Sequence, residues 1–172
     1  AAVRHICQSP PHKRLYVSYW IYYLTGFDYH VAGGRHGWRL HSTGNGQFDT
    51  ELWSDQNWIV FGNCQGGGCT NETAFNGVAT NFSGTADQWA HVEIDIQLNT
   101  TAGSSDGFLR AWKNGVRILD SAGHHFSDVD ESWDQVRIST NDDNCGSGGS
   151  CSLYMDDWHV WDGPPAAECS DG

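Results

Sequence analysis

Trp89-Ala90-His91-Val92-Glu93-Ile94-Asp95-Ile96-Gln97-Leu98 decides the reading of this chain. Apolar side chains stand at 90, 92, 94, 96 and 98, and His91, Glu93, Asp95 and Gln97 stand between them. A period of two is a strand with one face on a core and the other toward water. Residues 99–107 follow as a Gly-, Ser-, Thr- and Asp-containing loop, and 108–113 reads as the next strand. Asn114-Gly115 then favours a two-residue hairpin turn, since both residues accept positive φ, and 116–119 returns antiparallel.

The same pattern extends outward. Residues 15–24 oppose Val17, Tyr19 and Ile21 to Tyr16, Ser18, Trp20 and Tyr22. Further strands are predicted at 37–42, 58–61, 133–139 and 152–161, and Gly163-Pro164-Pro165 ends the last, because Pro cannot continue a ladder. Helical periodicity is scarce. Short strands and Gly-rich turns predict an all-β sandwich of two antiparallel sheets. A length of 172 residues predicts a single domain over 1–172, with its core in 15–162.

Charge and cysteines narrow the class. The net charge is −12, from 21 acidic residues against 9 Lys and Arg. That sign argues against nucleic acid and against anionic membranes as partners. No apolar run approaches the roughly 20 residues of a spanning helix. Opening at Ala1, the chain fits the expectation of a mature secreted protein whose leader has been removed. Six cysteines allow fifteen pairings, and sequence does not choose among them. Cys64 and Cys69 flank a flexible Gln-Gly-Gly-Gly stretch, Cys145 and Cys151 flank another Gly-rich one, and Cys7 with Cys169 would tie the ends. Closing so long a loop would stabilise by roughly 4–5 kcal/mol in the chain-entropy model. The expectation is a disulfide-stapled extracellular sandwich. Sequons at Asn71, Asn81 and Asn99 agree with it as candidate glycan acceptors. Nine Trp and six Tyr exceed the need of one core, and aromatic faces stack on the apolar C–H faces of sugar rings.

Three stretches carry a resemblance. They are Tyr22-Tyr23-Leu24-Thr25-Gly26-Phe27-Asp28-Tyr29-His30-Val31-Ala32-Gly33-Gly34-Arg35; then Trp89 to Ile94 with Leu98-Asn99-Thr100 and Asp106-Gly107-Phe108-Leu109-Arg110-Ala111-Trp112-Lys113-Asn114-Gly115; and Tyr154-Met155-Asp156-Asp157-Trp158-His159-Val160-Trp161. Together they resemble the jelly-roll polysaccharide lyases of the concanavalin A-like superfamily, the alginate and glucuronan lyases. The resemblance implies a concanavalin-like β-jelly roll, an acidic polysaccharide as partner and cleavage by β-elimination. Those lyases continue Lys-Leu-Pro-Gly after the second Gly, whereas this chain reads Arg35-His36-Gly37-Trp38.

Elimination needs a cation or amide to neutralise the uronate carboxylate, a base for the C5 proton and an acid for the leaving oxygen. Arg39 and His41 stand two apart in a strand and share a face, and Arg35 and His36 precede them. These four are the catalytic candidates; a solvated strand face is the plain alternative. Trp38, His91, Glu93, Asp95, Gln97, Arg110 and Trp112 are the candidates for carbohydrate binding. Glu93 and Asp95 also have the spacing of a glycosidase pair, but Leu98 stands where jelly-roll glucanases carry their last Glu. No cofactor is required by this chemistry. Asp156 and Asp157 are candidates for a structural Ca²⁺, which takes six to eight oxygens, with Asp28 or the 141–143 loop contributing. Besides the enzyme, two readings stand open: a non-catalytic carbohydrate-binding module, and a structural glycoprotein that self-assembles.

Overall fold

The structure, a computed structural model, describes residues 2–5, 12–26, 35–43, 47–52, 62–63, 70–71, 86–126, 128–141 and 153–162, with side chains over 12–26, 40–43, 86–126, 128–136 and 154–162. The described strands are β1 (Ala2–His5), β2 (Arg14–Tyr23), β3 (Arg35–Ser42), β4 (Gln47–Leu52), β5 (Gly62–Asn63), β6 (Thr70–Asn71), β7 (Trp89–Gln97), β8 (Gly107–Lys113), β9 (Val116–His124), β10 (Trp133–Asn141) and β11 (Leu153–Trp161). They form a four-stranded sheet, β1-β10-β3-β4, a five-stranded sheet, β11-β2-β7-β8-β9, and a two-stranded pair, β5-β6. Every pairing in them is antiparallel.

One core joins the two larger sheets. Leu15, Val17, Tyr19, Ile21 and Tyr23 of β2 meet Ala90, Val92, Ile94 and Ile96 of β7, and Leu40, Trp133 and Val136 of the other sheet belong to the same cluster. The alternating apolar residues of β7 are therefore its inward face. Trp133 is fully buried, and its indole Nε1 donates to the Lys13 carbonyl (3.1 Å). The Leu98 amide donates to that same carbonyl (2.9 Å), so one oxygen at the start of β2 ties the two sheets together.

The predicted hairpin is present. Asn114 and Gly115 have φ of 50° and 74°, the double positive pair of this turn. The turn also reaches sideways to β7: the Asn114 amide donates to the His91 carbonyl, and the His91 amide to Asn114 Oδ1, both at 2.8 Å. In the preceding loop, Asp106 accepts from Ser104 Oγ (2.6 Å), from the Thr100 hydroxyl and from the Thr100 amide (2.9 Å). These donors, Ser104 first, hold its carboxyl down to about 2.

One expectation shifts at this loop. Strand β9 runs on to His124, beyond the predicted end at 119, with bulges in its pairing to β8. The sequon residue Asn99 lies here too. It is 3% exposed, its Nδ2 donates to Thr101 O (2.7 Å), and its Oδ1 accepts from the Phe126 amide (3.2 Å). Both ends of its side-chain amide are engaged inside the fold. Gly107 lies beside this node. A Cβ there would stand 2.6 Å from the Phe126 ring and 2.9 Å from the His124 carbonyl. Gly107→Ala is therefore expected to destabilise by about 1–3 kcal/mol, the usual penalty for overpacking. Urea unfolding checks this, and an unchanged midpoint would contradict it.

The predicted strand at 58–61, all six cysteines and Asn81 lie outside the described residues; at Asn71 the backbone alone is described.

Candidate functional site

The five-stranded sheet turns its second face away from the core. Arg14, Tyr16, Ser18, Trp20 and Tyr22 of β2 alternate with that strand's core residues, as Trp89, His91, Glu93, Asp95 and Gln97 do on β7 and Phe108, Arg110 and Trp112 on β8. Registers set them side by side: Tyr16 pairs with Asp95, Ser18 with Glu93, Trp20 with His91, Glu93 with Trp112 and Asp95 with Arg110.

One end is built on ion pairs. The Asp95 side chain is only 3% exposed, which a carboxylate tolerates only when paired. Arg14 supplies a two-pronged partner, Nε to Oδ1 at 2.8 Å and a terminal nitrogen to Oδ2 at 2.7 Å. This bond chiefly raises the Arg14 pKa, and the guanidinium stays charged. Arg110 approaches Asp95 (3.9 Å) and bonds Asp120 (3.1 Å), which also holds Arg117 (2.8 Å). Arg14 and Arg110 both lie over the Phe108 ring, 5.2 and 4.4 Å from its centre. Acid and base alternate along this chain, beside a depression of about 500 Å³ that Tyr16, Glu93 and Trp112 also line.

The middle holds groups that can move protons. Tyr16 donates its phenol proton to Glu93 Oε1. Burial first, then this bond, pushes the Tyr16 pKa well up, so the phenol keeps its proton. Glu93 Oε2 lies 3.7 Å from His91 Nδ1, and His91 Nε2 lies 2.8 Å from Ser18 Oγ. The His91 ring leans on Trp20 (4.9 Å between centres). Tyr16 is flanked by Trp161 (5.7 Å) and Trp112 (6.3 Å).

The far end is aromatic and acidic. Trp20 and Trp89, 38% and 45% exposed, share a second depression of about 510 Å³ with Asp156 and Asp157. A bulge in β11 lies between Asp156 and His159, and Asp157 within it has φ of 52°. Asp156 Oδ1 accepts the Asp157 amide (2.8 Å), and Asp157 Oδ1 meets His159 Nε2 (2.7 Å).

The sequence candidates thus fall on two sheets. His91, Glu93, Asp95, Gln97, Arg110 and Trp112 come together on the five-stranded sheet. Arg35, His36, Trp38, Arg39 and His41 belong to β3 in the four-stranded sheet, and only His41 has a described side chain. Asp156 and Asp157 sit in the bulge; among the described residues no cluster of three or more His, Cys, Asp or Glu could hold a metal. Arg14, Tyr16, Ser18 and Arg117 are additions that sequence reasoning missed. The polar alternation of β2 is visible in the sequence, but which strand lies beside it is not.

No family model matches this sequence, and no curated protein matches it. Solved structures do match its fold. The chain is similar to the alginate lyase Aly36B in complex with alginate trisaccharide, at 18% identity and a TM-score of 0.57, covering 92% of this chain and 73% of that one. It is similar to an endo-β-1,4-glucuronan lyase of the fungus Trichoderma reesei, at 12% identity and a TM-score of 0.62, with 92% and 73% covered. The cellulose-induced protein Cip1 matches at 14% identity and a TM-score of 0.55, with 90% and 70% covered. The fold is therefore that of the concanavalin A-like jelly rolls. Within that class its structural neighbours are alginate and glucuronan lyases.

Proposed function

We propose that this chain takes an acidic polysaccharide along the outer face of its five-stranded sheet and cleaves it by β-elimination. One observation carries the reading. On a chain of net charge −12, three arginines line one depression with Tyr16 and Glu93, and His91 lies 3.7 Å from Glu93. An alginate lyase in complex with alginate trisaccharide and a glucuronan lyase share this fold, which supports the ligand class.

The roles follow from the chemistry of each group. Arg110 and Arg14 draw charge from the uronate carboxylate, which acidifies the proton on C5. His91 removes that proton, steadied by Glu93 and Ser18. The electron pair forms the C4–C5 double bond as the C4–O4 bond breaks. Tyr16, held protonated, gives its proton to the leaving O4. Solvent then returns a proton to Tyr16 and takes one from His91.

A rise in absorbance near 235 nm is expected when the protein is incubated with alginate, polyglucuronate or pectate, because elimination leaves an unsaturated uronide. No rise with any of them refutes elimination. A second reading, a binding module, draws on a specific observation. Tyr16, Glu93, His91 and Ser18 are bonded to one another, and the arginines are matched by Asp95 and Asp120. Binding to a polysaccharide gel without any absorbance rise favours that reading.

A further inference from the structure

The two ends of the face differ in the charge they offer. Trp20 of β2 and Arg14 stand six residues apart, about 20 Å along the strand, a span of several sugar rings. The Arg14 end carries three guanidinium groups beside the carboxylates of Glu93 and Asp95. The depression at the Trp20 end is lined, among the described residues, by two indoles and two carboxylates and by neither Lys nor Arg. Both indoles are exposed, so each presents a flat apolar surface for the C–H face of a pyranose. Asp156 and Asp157 each engage Oδ1, with an amide and with His159; no other described residue bonds Oδ2 of either. A carboxylate only accepts hydrogen bonds. It suits a ring rich in hydroxyl donors and repels a uronate, which brings a second acceptor of the same charge.

We infer that the Trp20–Trp89 end holds an uncharged sugar residue, so that the ligand is a heteropolysaccharide in which neutral residues accompany uronates. This rests on the proposal that the face takes an acidic polysaccharide. It adds a direction to that proposal: the polymer lies with a uronate at Arg110 and a neutral ring at Trp89.

Titration calorimetry with two tetrasaccharides tests the inference. One is β-1,4-linked glucuronate throughout; in the other, glucuronate alternates with a neutral hexose. The mixed ligand is expected to bind the wild-type protein about tenfold more tightly, the order of effect for one like-charge contact at a half-shielded site. Replacing both carboxylates, Asp156→Asn and Asp157→Asn, is expected to bring the two affinities within about threefold by improving the glucuronate ligand. Asn tolerates the left-handed backbone at 157, so the bulge is kept. Equal or tighter binding of the all-glucuronate ligand by the wild type overturns the inference and leaves the parent proposal standing. Binding of neither ligand overturns both. An unchanged tenfold preference in the double variant also overturns the inference, because the discrimination then does not come from these carboxylates.

Discussion

Replacing Trp133 by alanine is expected to lower the unfolding free energy by about 4 kcal/mol, near the middle of the range for emptying a buried indole site. For a chain of this length that corresponds to a melting temperature lower by about 8–16 °C. Trp133 is fully enclosed in the cluster that joins the sheets, so the cavity has no route to water. Its loss has a second part. Nε1 donates to Lys13 O, a bond that either substitution removes, whereas the backbone amide keeps its bond to His12 O (2.8 Å) whatever the side chain. Trp133→Phe keeps most of the apolar volume and loses the indole donor, which is expected to cost about 1–3 kcal/mol. Comparing the two variants separates packing from the hydrogen bond. A melting temperature within a degree or two of wild type for Trp133→Ala would show that the core is assembled differently. Arg14 follows Lys13 directly, so the same residue anchors the arginine end of the face from behind.

The second large effect concerns turnover. His91→Ala is expected to slow the appearance of 235 nm absorbance by at least about 100-fold, the lower bound for losing a positioned base. Stability should change little, by about 1 kcal/mol for the lost contact with Ser18. His91 is half-buried on the outer face, and its backbone stays pinned by Asn114 whatever its side chain. Normal turnover in this variant would remove His91 from the mechanism. Tyr16→Phe in the same assay probes the proton donor and leaves the ring packing with Trp161 and Trp112 in place.

Much of this fold is legible in the sequence, for a local reason. Strand β7 alternates without error over nine residues, and Asn114-Gly115 fixes the β8–β9 register through backbone geometry alone. Strands β1, β5 and β6 carry no such signal, because two to four residues are too few to show a period. Strand β4 does alternate, with Phe48, Thr50 and Leu52, but it sits among polar residues that read as loop. The site was half legible. Its β7 row follows from alternation. Its β2 row depends on which strand pairs with which, a contact across more than 70 residues of chain in the case of Tyr16 and Glu93. The density of Arg and His over 35–41 drew attention to the other sheet, because residue type carries no information about which sheet a strand joins.

The alternating chain of Arg14, Asp95, Arg110, Asp120 and Arg117 has one more consequence, for the speed of encounter. Its local charge is nearly balanced, while the protein around it carries −12. At low ionic strength the field of the whole molecule reaches about 30 Å and pushes a polyanion away before any arginine can touch it. Near 0.1 M salt that reach shrinks to about 10 Å, and the short-range guanidinium contacts remain. Salt then speeds association, the opposite of the usual behaviour of a cationic site, until it is strong enough to weaken the contacts themselves. The acidic polymer proposed above is therefore expected to be captured fastest in a moderately saline medium.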